Sequence, residues 1–439
     1  RKVIEHPGEP GGHFGWPAGL ALDGENVMVA YGHTQRPSRS QDGPGIPAPK
    51  SAESERIEIA FFQRDEPSAD PTEDLPRIAK IDRDQWISSG SLSQSKFPIG
   101  FVRLSNGQLV GANTEDESLR TIWAGPGKGG ADAAKYVAGP PSPRFIMRSN
   151  DDGKSWSKEQ MKLPKHYGGD PRMVLRLSSG RILCTILEWL LVEWNYETKN
   201  VIGQKNGYSI WSTNMNSFNQ NRLAVIYSDD EGKTWQGTDR DIDISPFFWA
   251  IPNDPMFELS DGMLVLPIWG ALTVDDGWSR HDTTGVIRST DGGKTWGDVS
   301  IMAHDDEGRL EAYNETSVAV INDDTWVAFQ RTEYHDIGNE RAWMSRTVTR
   351  DRGYTWSKPE LSFIGAVPQV VVLPDGGIGV GAAGGMHWTY DYGRTWTHIR
   401  PQGGYLHPIM IDENTMFVGN GQNWGSFGIY RRKAKAGEY

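Results

Sequence analysis

Five segments of the chain repeat one pattern. They are Ser149-Asn-Asp-Asp-Gly-Lys-Ser-Trp156, Ser228-Asp-Asp-Glu-Gly-Lys-Thr-Trp235, Ser289-Thr-Asp-Gly-Gly-Lys-Thr-Trp296, Thr349-Arg-Asp-Arg-Gly-Tyr-Thr-Trp356 and Thr389-Tyr-Asp-Tyr-Gly-Arg-Thr-Trp396. Each reads Ser/Thr-x-Asp-x-Gly-x-Ser/Thr-Trp, which is the chemistry of a β-hairpin turn. The Asp side chain accepts hydrogen bonds from nearby backbone N–H groups. The Gly supplies a positive φ. The hydroxyls tie the two arms together, and the Trp is expected to plug the space between neighbouring sheets. The five Asp residues are therefore read as structural.

A second repeat is offset from the first. Short apolar strands follow a proline and end at a turn: Pro17 to Gly24, Pro98 to Gly107, Pro171 to Gly180, Pro255 to Gly262, Pro368 to Gly376 and Pro408 to Asn414. Glu315 to Asp323 fits the series without the proline. A second strand follows each turn. Seven strand–turn–strand units predict an all-β chain, a β-propeller of four-stranded antiparallel blades. Seven blades are expected, with six as the alternative. No long Ser/Gly/Pro linker separates the units, so residues 1–439 read as one domain. The last unit, 405–430, has room for about three strands, and Lys2 to Glu5 is expected to supply the outer strand that closes the ring.

Composition agrees and excludes other classes. The 51 Gly residues suit many turns, and the repeats account for part of the 18 Trp. Lys plus Arg is 45 against 57 Asp plus Glu, a net charge of -12. That balance argues against non-specific nucleic-acid binding and against docking on anionic membranes. The single cysteine, Cys184, allows neither an intrachain disulfide nor a cysteine-based zinc site. No run of eighteen apolar residues predicts a membrane-spanning helix.

The five turns resemble the Asp-box, or BNR, repeats of the sialidase superfamily, over about residues 98 to 430. The resemblance implies an active site in the central funnel, ringed by the starts of innermost strands and the ends of second strands. Sialidases carry Asn-Glu followed about sixteen residues later by Arg, and here Asn314-Glu315 leads to Arg331. By that resemblance Glu315 polarises a nucleophilic tyrosine and Arg331 grips a substrate carboxylate, a pairing that suits a bidentate guanidinium. Tyr313 stands beside them. The sequence also departs from the family. Phe14-Gly-Trp16-Pro17 replaces the Phe/Tyr-Arg-Ile-Pro of the first blade, and Ala366-Val-Pro-Gln369 offers no further arginine.

Three readings of function follow. The first is an exo-acting glycoside hydrolase on a glycan that carries an acidic sugar. It places Glu315, Tyr313 and Asp254 near the chemistry, with Arg331, Arg172, Gln330, Tyr167, His166, Trp16 and Trp249 binding substrate. The second is a lyase cleaving at a uronic acid, of the ulvan or rhamnose–glucuronate type. It makes His13 or His33 and a tyrosine the base and acid of a β-elimination. The third is a non-catalytic glycan-binding propeller. A glycan is the expected partner, with no nucleic acid and no membrane, and the oligomeric state is open. No cofactor is expected, with a structural cation in the central channel as an alternative. Glycans of this kind are usually met outside the cytosol, so the expected location is extracellular or periplasmic, any signal peptide having been trimmed.

Overall fold

A computed structural model describes in full residues 70–76, 100–112, 144–164, 167, 171–187, 223–238, 241–252, 254–273, 281–306, 312–332, 343–363, 365–373, 376–383, 385–397 and 406–419, and other strands by their backbone pairing. The chain divides into two compact units, Arg1–Glu73 and Asp74–Tyr439. The smaller holds one four-stranded antiparallel sheet, with Lys2–Glu5 on Arg56–Gln63, then Asn26–His33, then Ala18–Ala21.

The larger unit holds six sheets of four or more strands. Their innermost strands are, in order, Phe101–Arg103, Asp170–Arg176, Trp249–Pro252, Glu311–Val320, Gln369–Val372 and Leu406–Asp412. In the third sheet Phe257–Glu258 also pairs with the second strand. A two-stranded ribbon, Gly203–Lys205 with Tyr208–Ile210, stands outside them. Each expected strand–turn–strand unit thus becomes part of a four-stranded sheet. Six belong to the larger unit, and the Pro17 unit belongs to the smaller one.

Burial explains why these sheets stand side by side. In Leu264–Ala271 nearly every residue is buried, so the strand is covered on both faces. Leu264, Leu266 and Ile268 pack toward the second sheet while Val265 packs toward the fourth, the period-two alternation of a strand. Six such clusters join the six sheets. Val110 and Ile146 meet Ile182 and Ile226; Leu183 and Leu223 meet Leu264 and Ile287; Val265 and Val286 meet Trp326. Phe329 and Met344 meet Ile378 and Val380; Val371 and Trp388 meet Leu406 and Val418; Ile411 and Phe417 meet Phe101 and Leu109. The last joint returns to the first sheet, so the joints form a closed cycle.

Closure also needs an outer strand for the sixth sheet. That strand is Trp86–Ser93, paired with Ser426–Arg432. Lys2–Glu5 pairs instead with Arg56–Gln63, which corrects the expected closure by residues 2–5. The turn motif occurs five times among six sheets for the same reason. It joins the third strand to the fourth, and in the sixth sheet those strands are not consecutive in the chain.

The motif works as its residues imply. In the second sheet Ser228 Oγ donates to Asp230 Oδ1 at 2.8 Å, the Thr234 amide donates to the same oxygen at 2.8 Å, and the Thr234 hydroxyl donates to Oδ2 at 2.6 Å. The Gly232 amide closes the loop on Ser228 Oγ at 2.8 Å. Burial alone would raise the Asp230 carboxyl, but these bonds outweigh it and bring it down to about 2. A depressed carboxylate stabilises the fold above its unfolded pKa of 3.8, and that contribution is lost as pH falls toward about 2. The Trp residues are plugs: Trp235 and Trp296 belong to the joints with the preceding sheets, and Trp356 packs against the next such joint.

Gly353 shows how tight these turns are. It sits at φ 78°, and a Cβ there would lie 2.6 Å from Cζ3 of the fully buried Trp326. Gly353→Ala is expected to cost about 2–4 kcal/mol, from overpacking plus backbone strain. A denaturant titration reads the loss directly.

Arginines add a second tie at the same level. Arg148, Arg288 and Arg346 each donate to the carbonyl of the residue before the glycine in the next sheet's turn: Glu231 at 3.0 Å, Arg352 at 3.0 Å and Tyr392 at 2.7 Å. At these three joints one sheet thereby holds its neighbour's turn.

Candidate functional site

Among the described residues, seven other than glycine have positive φ. Asp152, Glu231, Arg352 and Tyr392 occupy equivalent places in the turn motifs, and Asp298 follows a motif. The other two are Glu315, at 39°, and Val367, at 56°. Val367 is β-branched and precedes Pro368, two reasons for a residue to avoid that region. Glu315 lies in a bulge, where the pairing of Asn314 with Arg331 shifts to that of Thr316 with Gln330. The two meet each other: the Val367 amide donates to Glu315 Oε2 at 3.0 Å.

Arg331 completes the group. Its Nη1 donates to both oxygens of Glu315, at 3.1 and 3.0 Å. The side chains of Arg331 and Glu315 remain 24% and 18% exposed, so the pair is neither dissolved in solvent nor sealed in the core. Such a pair is an oriented guanidinium beside an oriented carboxylate, with two strained backbone positions beneath it. Strain of this kind costs about 1–3 kcal/mol per residue and persists where the surroundings enforce it.

The surroundings do so from both sides. On one, Asp254 Oδ2 accepts the Val318 amide at 2.9 Å, tying the third sheet to the innermost strand of the fourth. On the other, Ser317 Oγ accepts the Val370 amide at 2.9 Å, tying that strand to the fifth sheet. Asn314 Nδ2 donates to Asp282 Oδ2 at 3.1 Å. The strand bearing Glu315 is therefore fixed at four of the five positions 314–318.

Asp254 was expected as a catalytic carboxyl, and its place is different. It is 5% exposed, enclosed between two sheets. Burial pushes its carboxyl up to about 7, against hydrogen bonds from the Val318 amide and the Ser317 side chain. A raised folded pKa means the site favours folding most at low pH and loses that advantage as pH rises from 3.8 through about 7. Asp254→Asn removes the charge while keeping an acceptor for Val318. Its stability relative to the native chain is expected to rise between pH 4 and pH 8, which melting curves at the two pH values would show.

The remaining candidates separate. Arg172 lies half-buried on the innermost strand of the second sheet, at a bulge. Trp249 is 7% exposed and packs edge-on against Trp269, centroids 5.2 Å apart. Gln330 is fully buried, donating to Thr347 Oγ1 at 2.7 Å and accepting from Ser345 Oγ at 2.9 Å. Its amide is used inside the sheet, which corrects its expected contact with substrate. Tyr167 donates its hydroxyl to the Thr238 carbonyl at 2.8 Å and covers Gly237, where a Cβ would fall 2.3 Å from the ring. Although it precedes the innermost strand in the chain, its side chain packs against the outer strand of the second sheet. Tyr313 is 6% exposed and lines a cavity with His304 and Trp356. His13, Trp16 and His166, and the side chain of His33, lie outside the described residues.

Val367 is the member of the group that sequence reasoning missed. Its role is carried by a backbone amide in an improbable conformation, which no residue type announces. Among the described residues, no group of three or more His, Cys, Asp or Glu could hold a metal ion. No described helix is long and apolar enough to cross a membrane.

Known proteins resemble the chain in its fold and repeats. Residues 206–383 match the BNR repeat-like domain. Over 235 residues the chain is 26% identical to a sialidase of Bacteroides fragilis (strain YCH46), an alignment covering 49% of this chain and 37% of that protein. The chain thus spans little more than a third of that relative. Among solved structures, an α-L-arabinanase of Penicillium chrysogenum superposes with a TM-score of 0.54 at 15% identity, over 79% of this chain and 98% of its own. An α-L-arabinofuranosidase of Fusarium graminearum gives 0.52 at 14%, over 78% and 98%. Four-stranded sheets joined in a cycle, five Asp-box turns and these likenesses agree: the chain is a β-propeller with BNR-type repeats, similar in fold and repeats to proteins of the sialidase superfamily.

Proposed function

We propose that the chain is a sialidase-like glycoside hydrolase that acts at the end of a glycan carrying an acidic sugar. The observation that supports this most is the Glu315–Arg331 pair, seated on the strained contact between Glu315 and Val367. In this reading the Arg331 guanidinium binds the sugar's carboxylate, a charge-assisted contact that orients the ring. Glu315 fixes that guanidinium and supplies the carboxylate that activates the attacking group. Similarity to the Bacteroides fragilis sialidase and to the propeller arabinanases supports hydrolysis as the reaction class.

The test is a panel of sialosides, uronate-containing oligosaccharides and neutral arabino-oligosaccharides. Sugar release and absorbance near about 235 nm, where unsaturated uronates absorb, are followed together. Release from an acidic substrate without absorbance is expected. Arg331→Ala should lower kcat/KM on that substrate at least about a hundredfold, with Arg331→Lys recovering part of it. Preferential cleavage of the neutral substrates overturns the acidic-sugar reading. Release accompanied by absorbance overturns hydrolysis in favour of elimination.

A further inference from the structure

A cavity of about 680 Å³ lies between the third and fourth sheets, and neither Glu315 nor Arg331 lines it. Its volume falls within the range of about 300–1,000 Å³ usual for small-molecule sites. The third sheet contributes Leu272, Ile301 and His304-Asp305-Asp306, and the fourth contributes Tyr313, Trp356 and Lys358.

The polar groups are held in place from behind. Thr283 Oγ1 and His304 Nδ1 are 2.7 Å apart, which fixes the imidazole. His281 Nε2 stands 3.3 Å from Asp305 Oδ2, and the Asp305 side chain is 3% exposed. The two imidazole rings lie 5.2 Å apart. Positions locked by a supporting shell are what a binding site needs and an accidental crevice lacks.

The chemistry of the lining selects the ligand. Lys358 only donates hydrogen bonds, and the ionised carboxylates of Asp305 and Asp306 only accept them. An anion would face two carboxylates, and an apolar ligand would strip water from them without replacing it. An organic cation would meet Lys358. Hydroxyl groups donate and accept, so a neutral polyol can satisfy both signs, while the aromatic side chains of Tyr313 and Trp356 line the same space. We propose that this cavity binds a neutral saccharide of one or two sugar units, as a second carbohydrate site apart from Glu315 and Arg331. It stands whether or not that pair carries the reaction.

Isothermal titration with arabinobiose and lactose tests it, with glucuronate and glucosamine as charged controls. The expected result is saturable binding of a neutral disaccharide that persists in Arg331→Ala. Leu272→Trp, which fills the cavity, should abolish it. Lys358→Ala, a change at an exposed position, should weaken it at least about tenfold, the worth of one hydrogen bond to a charged group. Melting curves check that both variants fold, and Lys358→Ala decides the matter if Leu272→Trp does not. The proposal is overturned if neither disaccharide binds, if Arg331→Ala abolishes binding, if Lys358→Ala leaves it unchanged, or if glucuronate or glucosamine binds more tightly.

Discussion

If the proposed hydrolysis holds, Glu315→Gln is expected to reduce kcat at least about a hundredfold on the acidic glycan proposed as substrate, while the melting temperature moves little. The substitution preserves shape. Its amide oxygen still accepts the Val367 N–H, so the strained contact with the fifth sheet survives. What disappears is the charge. Arg331 loses its counter-ion, and the site loses the carboxylate that activates the attacking group. A purely structural pair predicts the opposite pattern, with stability falling and turnover per folded molecule preserved. Measuring kcat and the denaturation midpoint on one preparation separates the two.

Arg288→Ala is expected to cost about 3–5 kcal/mol of stability. Arg288 is 2% exposed, and burial lowers its pKa from the ordinary arginine value. Its guanidinium donates to the Asp298 carbonyl at 2.9 Å, to Ser300 Oγ at 2.9 Å and to the Arg352 carbonyl at 3.0 Å, and it lies 4.0 Å from the centre of the Tyr354 ring. Truncation leaves two partly buried carbonyls without this donor and opens a void between the third and fourth sheets. Arg288→Lys retains the charge but not the fork, so it should recover only part of the loss. A guanidinium chloride midpoint displaced by less than about 1 kcal/mol equivalent would show that the joint rests on its apolar contacts instead.

The parts of the fold legible in the sequence were those encoded locally. All seven hairpins formed where turn residues ended an apolar strand, because Gly107, Gly180, Gly262 and Gly376 occupy the positive φ such turns require. The five Asp-boxes likewise carry their hydrogen-bond partners within eight residues. Outer-strand pairing was not legible, since no turn joins Trp86–Ser93 to Ser426–Arg432. Of the candidate site, Glu315 and Arg331 were visible through their resemblance to the sialidase Asn-Glu…Arg spacing, and pairing in one hairpin brings the two together. Gln330, next to Arg331, was misplaced because neighbouring strand residues face opposite ways. His281 and His304 carry no signal of this kind, since they lie just before the third strand of their sheet and just after its fourth, away from the innermost strand.

Trp86–Ser93 also has a consequence in time. It emerges from the ribosome before any other strand of the larger unit, yet its partner is the last one made. Throughout synthesis it has nowhere to dock, and the first and sixth sheets cannot meet. A pairing so distant in sequence is the kind that slows folding, and until it forms Trp86–Ser93 presents an open edge to other chains. The nascent chain is thus most prone to misassociation in the interval before Ser426–Arg432 has been made.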